Sequence, residues 1–250
     1  AELYPVMNHI YFLQEVAADQ LVIPARAGSN LNSDMWQRLH THDYRAGDEV
    51  VKAGWAFIQR GINSCNRLLY RYEEHVPYNQ NIAALCAEVR AVRALFCWWA
   101  LDLYGQLPEV ELEKNQPKPD SRFALYRFCV NELENNAGLL SKAVDATTYS
   151  RMNYWSAKML LAKLYLNAEA YTGQPAWENA QHILSEIVES AQFSLEPDYF
   201  NNFSINNHHS PEVIFAIPYD EQRAPGFQLN AITRATDGVA LNAPGLCATP

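Results

Sequence analysis

The sequence predicts an all-α fold built from helix hairpins, with long irregular loops and a minor β element. Three observations carry this. Apolar residues recur at helical spacing through five segments between 48 and 190, and through one more before them. Gly or Pro breaks, as at Gly105 and Gly173, stop them sharply. A β-branched and aromatic run suited to a strand occurs once, in "EVIFAIPYD" at 212–220.

In chain order, Val6, Ile10, Leu13 and Ala17 share one face and predict a helix over 4–18. Residues 19–47 have no period and read as a surface loop, long enough to suggest a functional one. Trp55, Ile58, Ile62, Cys65, Leu69 and Tyr72 restore the helical period over 48–73. The next helix, 79–104, is apolar on every side around "ALFCWWAL" and therefore belongs inside a stack of neighbours. Gly105 suits a left-handed terminator, with Pro108 just beyond. Asp120 or Ser121 can cap a third long helix, with Cys129, Leu133, Ala137 and Leu140 on its face. Two more follow over 153–171 and 176–190, joined by a Gly/Pro turn. This pair has the look of a tetratricopeptide-type hairpin, without a clean 34-residue repeat. Residues 191–250 read as the strand and loops laid over the scaffold, and 1–250 as a single domain.

With 49% hydrophobic and 19% charged residues, the 250-residue chain has the balance of a globular protein. Its net charge of −9, without any Lys/Arg run, argues against nucleic acid. There is no apolar run of 18 residues to span a bilayer. Five cysteines lack CxxC spacing; four lie in apolar helical stretches and read as buried small hydrophobes. The chain starts inside a helical pattern and ends in "LNAPGLCATP", which suggests a segment of a longer protein.

Enzyme motifs are absent: no GxSxG, GxGxxG, P-loop or HExxH occurs. His40 and His42 beside Asp43 could start a metal site. Lacking a visible third ligand, they read better as loop histidines bonded to backbone. Arg90 and Arg93 read as ion-pair or carbonyl contacts that fix helix packing. Trp36 lies among Arg26, Asn30, Asn32 and Gln37, the mixture of an aromatic face and planar polar groups that a sugar requires. The same Trp could instead pin its loop to the scaffold, and composition does not separate the two readings. Tyr44, Tyr219 and Phe227 are further candidate ligand contacts on loops.

Taken in order, these pieces resemble the SusD/RagB family. "AEVRAVRALFCWWALDLYGQLPEV" resembles its signature helix at Glu88, Arg93, Ala94, Leu103, Tyr104, Gly105 and Pro108. "AADQLVIPARAG" and "MWQRLHTHDY" resemble its first long loop, with Gln20 in place of an acid and Ala27 in place of a Gly. Ile62 and Asn66 fit its Ile-x-x-x-Asn element, and "SPEVIFAIPYD" its Glu-x-Ile-Phe strand. The resemblance implies a non-catalytic glycan-binding lipoprotein of the outer membrane, exposed at the cell surface. It would pass oligosaccharide to a SusC-like TonB-dependent transporter. The anchor would be an acylated N-terminal Cys, which none of the five cysteines matches. No cofactor is implied, although the resemblance allows calcium. Two other classes stay open from the residues alone: a tetratricopeptide-like adaptor binding a protein segment, and a helical carbohydrate-active enzyme.

Overall fold

A computed structural model describes residues 3, 5–23, 34–107, 121–219 and 247–248. The chain comprises two compact units, one of residues 1–60 with 218–250 and the other of 61–217.

In the first unit a π-helical turn, Met7–Tyr11, runs into α1 (Phe12–Ala17). β1 (Leu21–Val22) pairs antiparallel with β2 (Cys247–Ala248), Leu21 opposite Ala248. This pair is the minor β element among the described residues. Within 19–47, expected to lack structure, residues 34–40 form α2 (Asp34–His40). Its apolar signal is only Trp36 and Leu39, spaced by three and both buried, too little to stand out in a polar stretch. Helix α3 (Glu49–His75) carries residues of both units.

The second unit is a run of helices: the end of α3, α4 (Gln80–Tyr104), α5 (Arg122–Ala137), α6 (Tyr154–Leu166), α7 (Ala168–Thr172) and α8 (Trp177–Glu189). Polar caps fix where they start. The Asn79 side chain accepts from the Ile82 amide, Ser121 from Ala124 and Asn153 from Ser156. At the other end of α4, Gly105 takes φ 68° and its amide donates to the Leu101 carbonyl. A side chain is strained there, so this glycine stops the helix. The 153–171 segment divides at Asn167, whose side-chain amide donates to the Lys163 carbonyl.

Helix α4 packs on α5 and α6, α5 on α6 and α7, and α6 on α8. The all-round apolar character of α4 is thus used: Ala87, Ala91, Ala94, Phe96, Cys97, Ala100 and Leu101 are all essentially sealed from solvent. Gly61 of α3 faces the Phe96 ring so closely that a methyl group would collide with it. Because Phe96 is itself fully buried, its ring has nowhere to turn. Gly61→Ala is expected to cost about 1–3 kcal/mol by overpacking. A denaturant titration checks this, and an unchanged midpoint would mean that α3 and α4 are not in contact there.

Residues 212–219, expected as a strand, are instead turn and irregular backbone. Val213, Ile214 and Phe215 have the β-branched and aromatic character of a strand, but a strand also needs a ladder partner. The Ile214 carbonyl accepts from the Ser156 hydroxyl of α6, so a side chain serves it.

At the centre of the helical unit lies a buried cation. Arg93 of α4 is sealed from solvent. Its Nε and Nη2 donate to the two Glu132 carboxylate oxygens of α5, both at 2.8 Å, and its Nη1 donates to Asn66 Oδ1 of α3 at 2.9 Å. The guanidinium also lies 5.5 Å from the Phe128 ring centre. One side chain therefore ties three helices together. Nearer the surface, Arg90 pairs with Glu73 and Arg151 with Glu88. The structural reading of Arg90 and Arg93 is the one observed.

Candidate functional site

The sequence-derived site centres on α2 and the turn after it. Of its residues, Arg26, Asn30, Asn32 and Phe227 lie outside the described residues. The others take different positions. Trp36 is only 8% exposed and packs edge-on against Phe12 of α1, ring centres 5.6 Å apart. Of its two readings, anchoring the loop is the one this position supports. Gln37, next to it, is exposed; Tyr44 is 52% exposed; Tyr219 is half-buried.

Two contacts hold this segment in place besides Trp36, those of His42 and Arg38. His42, at φ 60°, places Nε2 2.8 Å from the Ala17 carbonyl at the end of α1. His40 Nδ1 lies 3.4 Å from Asp19 Oδ1. Arg38 is paired with Asp48, which also accepts from the Arg45 amide at 2.8 Å. The hydrogen bond from Arg38, then that from the Arg45 amide, holds the Asp48 carboxyl below the usual carboxylate range. So the two histidines do not converge on a common point. Among the described residues no three His, Cys, Asp or Glu side chains come together as metal ligands would. The clasp keeps α2 and the 41–48 turn fixed while leaving Gln37 and Tyr44 facing water. Their chemistry suits a sugar: an aromatic face for C–H groups and an amide for hydroxyls.

The helical unit offers a groove of about 450 Å³ lined by residues that include Glu134, Lys158, Tyr165 and His182. Glu134, one of its carboxylates, is already engaged. Tyr165 donates to Glu134 at 2.5 Å, and Glu186 accepts from Tyr154 and from Lys158. Burial, then the Glu134 hydrogen bond, pushes the Tyr165 phenol well up. Burial followed by the Asp102 hydrogen bond does the same to Tyr171. These phenol–carboxylate pairs are struts between helices.

Sequence reasoning missed three groups. Arg38 and Asp48, the clasp, are ten residues apart and nothing local pairs them. Glu132 was detectable as a carboxylate on the apolar side of α5, between Val130 and Leu133. Tyr199, Phe200 and Phe203 form an exposed aromatic cluster in a 3-10 turn, with Tyr199 and Phe203 ring centres 5.1 Å apart. They are interleaved with Asp198, Asn201 and Asn202, the same mixture that singled out Trp36.

No family model matches the chain. Among curated proteins it is 32% identical over 154 residues to the starch-binding protein SusD of Bacteroides thetaiotaomicron, covering 61% of this chain and 28% of that protein. It is 24% identical over 230 residues to a SusD-like protein of Bacteroides ovatus, covering 86% of this chain and 41% of the relative. Among solved structures, surface glycan-binding protein A of Bacteroides thetaiotaomicron, in complex with laminarihexaose, superposes with a TM-score of 0.70 at 24% identity. The match covers 85% of this chain and 44% of that one. A laminarin-binding SusD-like protein superposes with a TM-score of 0.68 at 21% identity, over 86% and 48%. The chain thus spans less than half the length of these relatives. Their helical fold is the fold described above, with its hairpins and its scarcity of strand. In sequence and in fold, the chain is similar to SusD-like proteins.

Proposed function

We propose that this chain is part of a non-catalytic nutrient-binding protein of the outer membrane. It binds glycan and delivers oligosaccharide to a SusC-like TonB-dependent transporter. The observation that carries the reading is the 32% identity, over 154 residues, to the starch-binding protein SusD. The protein is exposed at the cell surface and held there by acyl chains. No described helix is long and apolar enough to cross a membrane, and an acyl anchor requires none.

The ligand-contacting set is Gln37 and Tyr44, together with Arg26, Asn30, Asn32, Tyr219 and Phe227. Trp36 positions this set by anchoring α2 on Phe12.

The test uses the full-length protein in native gels cast with a panel of polysaccharides. One glycan is expected to retard it. Tyr44→Ala and Gln37→Ala are each expected to weaken that retardation about tenfold, equivalent to about 1.4 kcal/mol, without moving the unfolding midpoint. Retardation unchanged in both variants would remove these residues from the site. No retardation by any glycan would favour the adaptor, and pull-down of a protein partner would establish it.

A further inference from the structure

The α4–α5 pair brings two cysteines together that no part of the functional reading uses. Two contacts set the register of these helices: Arg93 faces Glu132, and Gly105 faces Arg122. Between them, Cys97 stands one turn on from Arg93 and Cys129 one turn back from Glu132. The positions rise by one turn and then two along α4 as they fall by one turn and then two along α5. The helices are therefore antiparallel neighbours. This register sets Cys97 opposite Cys129 across the helix pair, and both residues are 0% exposed. Both are free thiols. Two buried thiols at facing positions of packed antiparallel helices have the placement a disulfide needs.

We propose that Cys97 and Cys129 are a disulfide-forming pair, which staples α4 to α5 when the protein folds in the presence of a disulfide oxidant. One thiolate attacks the external disulfide, forming a mixed disulfide and releasing one thiolate. The second cysteine, on losing its proton to solvent, attacks the protein-side sulfur of that mixed disulfide and releases the other thiolate. Two protein thiols are oxidised, one external disulfide is reduced to two thiols, and both protons end on the released groups. Burial, and then the hydrogen bond with Cys129, pushes the Cys97 thiol well up, so the closed core holds little thiolate. The bond therefore forms while the α4–α5 hairpin assembles or opens. Once formed, the same burial shields it from reductant. It closes a loop of roughly 30 residues, next to the Arg93–Glu132 pair, and stabilises the helical unit chiefly by restricting the unfolded chain.

The experiment incubates the full-length protein in oxidised and reduced glutathione with mild denaturant, so that the core opens and recloses. Free thiols are then alkylated in strong denaturant, and the peptides are mapped without reduction. The expected result is a Cys97 peptide joined to a Cys129 peptide, two alkylations fewer than in the reduced control, and a higher denaturant midpoint than the same sample after reduction. Cys129→Ser is expected to abolish the joined peptide. Complete alkylation of both Cys97 and Cys129 in the oxidised wild type would overturn the proposal. So would joining of either to a different cysteine. Neither readout depends on a glycan, so the result stands apart from the binding assays.

Discussion

Replacing Arg93 by Met is expected to destabilise the helical unit by about 3–5 kcal/mol, because it leaves the Glu132 carboxylate buried without its cation. The loss has a specific structure. Two hydrogen bonds to Glu132 and one to Asn66 disappear together, and these join α4 to α5 and α3. The double variant Arg93→Met/Glu132→Leu removes both charges and fills the space with apolar groups. It is expected to recover most of the loss, since a buried pair contributes little net stability over well-packed hydrophobes. Denaturant unfolding followed by helix ellipticity measures all three proteins. A single-variant cost below about 1 kcal/mol would mean that water reaches Glu132. A double variant as weak as the single one would mean that the pair is needed for the packing itself.

Trp36→Ala should cost about 3–5 kcal/mol, the range for removing a buried aromatic. It deletes the ring packed on Phe12 and leaves a cavity under α2. Trp36→Phe keeps an aromatic in that space and is expected to cost less. This pair of variants separates anchoring from ligand contact. For an anchor, loss of stability and loss of glycan binding run together in the Ala variant, and the Phe variant retains binding. For a stacking platform, Trp36→Ala would abolish binding in a protein whose unfolding midpoint has not moved. The proposed binding contacts are probed through Tyr44 and Gln37, both exposed, whose removal leaves no such cavity.

What could be read from residues follows from how local each signal is. The all-round apolar α4, its stop at Gly105 and the Ser121 cap were legible, because each depends on a few neighbouring residues. Arg93 was legible as a packing residue, since a cation between apolar turns must be paired. Its partner was not, because Glu132 meets it only through α4–α5 packing, 39 residues away. Glu88, prominent in the same motif, pairs with Arg151 of a distant loop instead. The 212–219 segment shows the converse. Its β-branched residues carry strand propensity, but the Ile214 carbonyl was taken by Ser156. Helix α2 was missed because two apolar residues in seven give no period. At the site, residue type singled out Trp36 but could not say whether its ring faces water or Phe12. Burial of one ring is decided by what folds over it.

The central claim is that the protein holds glycan without transforming it. The most direct measurement places the full-length protein with the polysaccharide that retards it. Isothermal titration follows binding of its oligosaccharides, and reducing-end analysis follows the same mixture over a day. Saturable binding, weakened about tenfold by Tyr44→Ala, with no increase in reducing ends, is the predicted result. A steady release of reducing ends that stops when one Asp or Glu is neutralised would contradict it and identify an enzyme.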